Sequence, residues 1–286
     1  MTTGAQPSKF ASRLRAAWRV FLFFLILFVA LFITTSLENF IERALVAAGY
    51  RPLLMEWAMP LGALIATAVC IKWVDGKSWD YVRLGRASLK PKLLAQSALL
   101  GAAAIALPSL ILLSAGELRA IPSVKGSWLG AAGLTFANLL PSAAGEELLV
   151  RGYLFAVMRD SMGWRRALVV TSIVFGLLHL NNPGADGESI GLVILAGFFL
   201  GSVLVATGSL YAAIVAHFTW NWIMAAGLHS PVSGIPLLAP DYRIVDAGPD
   251  WLTGGAWGPE GGLAAALSMF IVVIYIYTRH LRRMEQ

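Results

Sequence analysis

The chain has 286 residues, 58% of them hydrophobic and 13% charged, with a mean hydropathy of +0.71. Soluble domains average about 45–50% apolar and about 25% charged residues, so this composition excludes an ordinary soluble fold and belongs to a polytopic membrane protein. The net charge of +6 rests on basic residues at the ends of apolar runs rather than in one patch, which argues against a nucleic-acid partner and for helices oriented in a lipid bilayer.

A bilayer core of about 30 Å takes about 20 apolar residues in a helix. Eight segments meet this: Ala17 to Ser36, Leu53 to Val74, Leu93 to Ala115, Leu134 to Arg159, Trp164 to Asn181, Ile190 to Thr207, Ser209 to Leu228 and Gly262 to Thr278. The expected fold is therefore an all-α bundle of about eight transmembrane helices. The first segment reads as a signal anchor, being too long for a removable signal peptide and poorly followed by a cleavage site. After it, Phe40, Ile41, Ala44, Leu45 and Ala48 share a helical stripe, as in a helix lying in the interface or a short loop helix. Counted at alternate ends of the spans, seventeen Lys and Arg fall on one side and five on the other, which places both termini in the cytoplasm. Cys70 is the only cysteine and lies inside an apolar run, leaving neither a disulfide framework nor a cysteine metal site.

Residues 229–261 carry five prolines, several glycines, Trp251 and Trp257, and cannot form a regular helix. They read as an aromatic-anchored surface loop on the non-cytoplasmic side, with a lid over a site as the second reading. The chain divides into N-terminal spans (1–133), a central core (134–228), this loop (229–261) and a last span with a basic tail (262–286), integrated as one domain.

Charged groups at the centre of a membrane helix cost roughly 2.5–3.5 kcal/mol each on insertion scales, so their positions carry functional information. The fourth segment holds Glu146, Glu147 and Arg151. Glu147 and Arg151 are four apart in the favourable acid-first order, whereas Glu146 is rotated by about 100° and faces elsewhere. A packing ion pair accounts for Glu147 and Arg151 but leaves Glu146 unexplained. The small residues Ser142, Ala143, Ala144 and Gly145 just before them admit a close helix neighbour. Phe175 and His179 fall on one face near the end of the fifth segment, and His217 and Asn221 share a face of the seventh. A lone intramembrane histidine is as often a packing residue as a functional one; two, with an asparagine and two glutamates, are harder to dismiss. His229 and His280 read as surface residues.

A desolvated carboxylate has its pKa raised, which suits a general base acting on water, and His and Asn can donate to an oxyanion. Glu146, His179 and His217 could instead ligate zinc and leave a position for water. Either arrangement turns water against a carbonyl, so amide hydrolysis within the membrane follows from the chemistry.

In order and spacing, Glu-Glu-x-x-x-Arg (Glu146, Glu147, Arg151), Phe-x-x-x-His (Phe175, His179) and His-x-x-x-Asn (His217, Asn221) resemble the CAAX-protease and bacteriocin-processing family of intramembrane proteases, also called Abi or Rce1-like. Asn181-Asn182-Pro183-Gly184 after the second motif is similar too. The resemblance covers 134–228, about a third of the chain. It implies peptide hydrolysis in or near the membrane of a bacterial cell. Glu146 and His179 would activate water, and His217 and Asn221 would bind the oxyanion or help hold zinc. Glu147 with Arg151 would orient the helix, and Phe175 would wall the site. Substrates implied by the family are membrane-anchored: prenylated CAAX tails, bacteriocin precursors or C-terminal sorting tails. Nothing in the sequence chooses among them or sets an oligomeric state.

Other intramembrane protease types are less consistent with the sequence. No His-Glu-x-x-His occurs, the seven aspartates lie outside the spans, and no Gly-x-Ser-x-Gly elbow stands within a helix opposite a histidine. Two further readings are a proton-coupled carrier, since intramembrane Glu and His also form proton relays, and an inactive scaffold or immunity protein binding through Gly197-x-x-x-Gly201. By span counting, Glu146 and His217 sit near mid-membrane but His179 sits toward the non-cytoplasmic end. A common site requires a tilted or shifted fifth helix, or an opening toward that side.

Overall fold

A computed structural model describes residues 9–50 and 57–281. The expected start of the second span at Leu53, and Arg51, Arg282 and Arg283 of the charge count, lie outside them. Of the described residues 76% are helical and almost none lie in a sheet, so the fold is an all-α bundle.

Helix α1 runs Lys9–Ala47. At 1.5 Å per residue it is about 58 Å long, well beyond a bilayer core. The stripe around Phe40 is its final turns, not a separate interfacial helix, because no Gly or Pro interrupts the segment between Ser36 and Ala47. Helix α2 (Ala58–Val69) passes into a π-turn over Cys70–Val74. Helix α3 (Pro91–Ala115) starts at a proline whose missing N–H costs nothing there, and ends on Gly116 at φ 80°. Strand β1 (Leu118–Pro122) leads to helix α4 (Trp128–Glu147), capped by the Ser127 hydroxyl, which accepts from the Gly130 amide at 3.1 Å.

A π-helical stretch, Leu148–Leu154, and a kink at Gly152 separate α4 from α5 (Phe155–Met162). The expected span from Leu134 to Arg159 is thus two helices with a break. Helix α6 (Trp164–Leu177) is short and stops before His179. Helix α7 (Gly187–Thr207) begins in a capping box between Asp186 and Ser189, and α8 (Leu210–Trp222) is capped by Ser209. Strand β2 (Tyr242–Asp246), helix α9 (Asp250–Thr253) and helix α10 (Leu263–Ile276) complete the chain.

Strands β1 and β2 pair antiparallel from Leu118↔Asp246 to Pro122↔Tyr242. This two-stranded sheet, absent from the sequence expectation, stitches the α3–α4 connection to the 229–261 segment. Among the described residues three helices are long and apolar enough to cross a membrane: Ala11–Ala47, Pro91–Ala115 and Gly187–Thr207. Shorter apolar helices occupy Ala58–Val74 and Leu263–Arg279. Their outer faces carry exposed Phe28, Phe32, Leu107, Ile111, Phe270 and Ile271, surface that water would penalise and lipid would not.

Two buried clusters hold the bundle. One joins α3, α7, α8 and α10; the other joins α1, α2, α5, α6 and the start of α8. Glycines allow the closest approaches. A Cβ on Gly101 of α3 would lie 2.1 Å from the Ala216 carbonyl oxygen of α8, and one on Gly197 of α7 would lie 2.8 Å from the Ser172 Cα of α6. Gly201 faces Leu168 of α6 in the same way. The Gly197-x-x-x-Gly201 face therefore packs inside the chain and does not offer itself to a partner.

Candidate active site

The site forms where α4, the turn after α6, and α8 meet. The small run before Glu146 receives α2: a Cβ on Gly145 would stand 2.4 Å from Met59 Sδ and 3.0 Å from Pro60 Cα. Close packing here sets the height and rotation of the turn that carries both glutamates.

Glu147 and Arg151 form the expected i, i+4 pair at 2.7 Å, both side chains wholly buried. Arg151, counted above with the basic ends, is instead in the core. It also donates to the Gly197 carbonyl at 3.2 Å and lies 4.1 Å above the Phe175 ring. The same oxygen, Glu147 Oε1, faces His217 Nδ1 at 3.1 Å. A carboxylate only accepts, so His217 Nδ1 carries hydrogen and Nε2 points the other way. His179 is fixed by the same logic: Nδ1 donates to the Phe175 carbonyl at 2.8 Å. Phe175, buried, lies against both imidazoles, with ring centroids 5.0 Å from His179 and 5.7 Å from His217.

Both free Nε2 atoms face one oxygen. Glu146 Oε2 stands 3.7 Å from His179 Nε2 and 3.9 Å from His217 Nε2, and it is buried without a hydrogen-bond partner. Its other oxygen accepts from Ser142 Oγ at 3.3 Å. These separations exceed a direct hydrogen bond and leave a gap surrounded by acceptors. An orphaned buried acceptor costs about 1–3 kcal/mol, so the gap calls for a donor such as water. Asn221, one turn beyond His217, lines the same cavity of about 440 Å³ with Asn138, Leu139, Ser142, Asn182, Val232, Ser233, Ile235 and Leu237. A second void of about 30 Å³ between Phe175, His179, His217 and Asn221 has room for a water.

The two anchored Nδ1 atoms are what metal-binding histidines use, yet the spacing is wide of a metal site. Bonds of about 2.0 Å to tetrahedral zinc put ligand atoms about 3.3 Å apart. Among the described residues no group of three His, Cys, Asp or Glu stands close enough to hold an ion. As positioned, Glu146, His179 and His217 therefore do not fit zinc.

The depth conflict resolves in the short α6: His179 sits in the turn beyond its end, at the face covered by the 229–261 segment, and reaches Glu146 from there. Asn138, Asn182, Ser233 and Glu260 also line the site's two cavities and were not anticipated. Of these, Asn182 belongs to the Asn181–Gly184 run noted above, and Asn138 carried a signal, since Asn138, Ser142 and Glu146 recur every four residues. His229 is not a surface residue as expected: it is buried, stacks on Tyr242 at 4.4 Å and donates Nδ1 to the Tyr242 carbonyl. It borders a cavity of about 820 Å³ beneath the loop cap, which shares only Leu237 with the site and holds none of its acids or imidazoles. Gly187-Glu188-Ser189-Ile190-Gly191 matches the serine-elbow letters, but the Ser189 hydroxyl is spent on Asp186.

A buried acid, two imidazoles and a carboxamide carried by apolar helices thus line one cavity. Residues 128–223 match the family described as type II CAAX prenyl endopeptidase Rce1-like, a span from the start of α4 through α8 that contains all seven residues of the three motifs. Over this region, a third of its length, the chain is similar to the Rce1-like family of CAAX-type intramembrane endopeptidases, and its long apolar helices mark an integral membrane protein. No curated protein sequence matches the chain.

Proposed function

We propose that this protein cleaves a peptide bond of a membrane-anchored protein or peptide with water activated by Glu146 and His179. The observation that carries the reading is the single unpartnered oxygen, Glu146 Oε2, flanked by two Nε2 atoms at 3.7 and 3.9 Å. A water in that gap donates one hydrogen to Glu146 and the other to an imidazole. As its oxygen attacks the scissile carbonyl, Glu146 takes the proton, and the carbonyl oxygen becomes an oxyanion. Asn221 Nδ2 is the donor we assign to that charge; His217 Nε2, an acceptor while Nδ1 carries the hydrogen, joins it only in molecules that have already taken up a proton from solvent. Collapse of the tetrahedral adduct breaks the C–N bond, and the proton passes by Glu146 or His179 to the leaving nitrogen.

Glu147 contributes by position. It accepts from His217 Nδ1, which fixes the tautomer and turns Nε2 toward the Glu146 gap. Arg151 in turn holds the Glu147 carboxylate in place with a 2.7 Å ion pair. The substrate class we favour is a tail or leader emerging from the bilayer: a CAAX-like tail, a bacteriocin precursor or a sorting tail. The residence we favour is a bacterial plasma membrane with cytoplasmic termini.

The test is a comparison of membrane-protein termini in the native host with wild type and Glu146→Gln. Loss of general acid–base action costs about 10²–10⁴ in rate, so the cleaved termini should vanish in the variant. Full activity of purified Glu146→Gln would overturn the reading.

A further inference from the structure

Residues 232–235 form a two-residue hairpin: the Val232 amide donates to the Ile235 carbonyl at 3.0 Å, and the Ile235 amide returns the bond at 2.9 Å. Its tip residues, Ser233 and Gly234, have φ of 49° and 78°, the signature of a type I′ turn. Positive φ suits Gly234, where a Cβ would lie 2.1 Å from the Pro183 carbonyl oxygen, but it is uncommon for serine and needs local support.

That support is a carboxylate. Glu260 Oε1 accepts from the Ser233 amide at 2.6 Å and from its hydroxyl at 2.9 Å. Glu260 Oε2 accepts from Trp220 Nε1 at 2.8 Å, one residue before Asn221. On the far side, the Ser233 carbonyl accepts from Asn182 Nδ2 at 3.0 Å, three residues after His179. The tip thus ties together the two segments that deliver His179 and the His217–Asn221 pair. Its flanks, Val232, Ile235 and Leu237, form an apolar wall of the Glu146 cavity.

We propose that Glu260 is a positioning residue of this site: it pins the Ser233–Gly234 hairpin over the Glu146 cavity, and the pinned hairpin seats an apolar side chain of the substrate beside the scissile bond. The proposal rests on the endopeptidase reading above. Glu260 acts only through Ser233 and Trp220 and takes no part in bond breaking.

The experiment uses the full-length protein in detergent with two readouts, hydrogen exchange and cleavage of a proteome-derived mixture of apolar peptides followed by mass spectrometry. Glu260→Gln keeps the volume, but whichever way its amide lies, either Trp220 or Ser233 loses an acceptor. Exchange over 232–235 should quicken at least tenfold while α8 stays protected. KM should rise at least fivefold, more than kcat falls, and the preference for an apolar residue beside the cut should weaken. Ser233→Ala, which removes only the hydroxyl bond, should move every readout the same way by less. Unchanged exchange over 232–235 overturns the pin. Loosening of α8 along with it, or faster exchange with unaltered KM and site preference, overturns the positioning role. If wild type cleaves none of the peptides, the endopeptidase reading fails, and exchange still decides whether Glu260 holds the hairpin.

Discussion

Glu147 and Arg151 illustrate how one buried charge governs its neighbours. Removing one member of a fully buried pair leaves the other uncompensated, at a cost of about 3–5 kcal/mol. Glu147→Gln should therefore lower thermal stability as well as activity. Glu147→Leu combined with Arg151→Met should recover stability but not turnover, because His217 Nδ1 would still lack its acceptor. Thermal unfolding of the three proteins in one detergent checks this. Asn221→Ala should behave differently, lowering kcat by about 10²–10³ with little change in melting temperature, since Asn221 contacts the cavity and no buried charge depends on it. The residues that make these predictions possible were legible one helix at a time, through spacings of four and the cost of charge in lipid. Ser233 and Glu260 were not, because their partners lie 27 and 40 positions away and no periodicity links them.

Where elements meet, small residues and caps set the geometry. Gly145→Ala drives a methyl into Met59 and the Pro60 backbone. Met59 can yield but Pro60 cannot, so overpacking of about 1–3 kcal/mol is expected. Turnover should fall with it, because the displaced turn carries Glu146; a melting curve and a rate on the same preparation would show both. At the start of α7, the Ser189 amide and hydroxyl hold the Asp186 carboxyl below its ordinary range. A depressed folded pKa adds stability above the unfolded carboxylate value and loses it as pH falls through the folded one. Melting temperature should accordingly decline below about pH 4 in wild type, and Asp186→Asn should flatten part of that decline. Helix cores such as α3 and α7 were readable from apolar length. The break at Leu148–Leu154 was not, since neither its π-turn nor the kink at Gly152 has a propensity signature as strong as the hydrophobicity around it.

Taken whole, the molecule is an apolar bundle closed at one end by a strapped segment. Its single cysteine is fully buried, so cysteine labelling offers a low background for testing orientation. Val124→Cys, on an 82% exposed position of the α3–α4 connection, should label in intact cells with a membrane-impermeant reagent, and Lys90→Cys only after permeabilisation. The opposite result would invert the proposed topology. Chelation of the purified protein should leave peptide cleavage intact, because the acid and imidazoles stand wider apart than the ligands of a tetrahedral zinc site. Composition and the spacing of charges, acting through the cost of polar groups in lipid, were enough by themselves to establish a helical membrane protein, the three polar turns and their family resemblance. Which turns face each other, how far Glu146 stands from each imidazole, and that a proline-rich segment folds into a sheet and a pinned hairpin against them, were decided by the tertiary structure alone. Those contacts depend on glycine-thin helix approaches and long-range hydrogen bonds, and neither leaves a local trace along the chain.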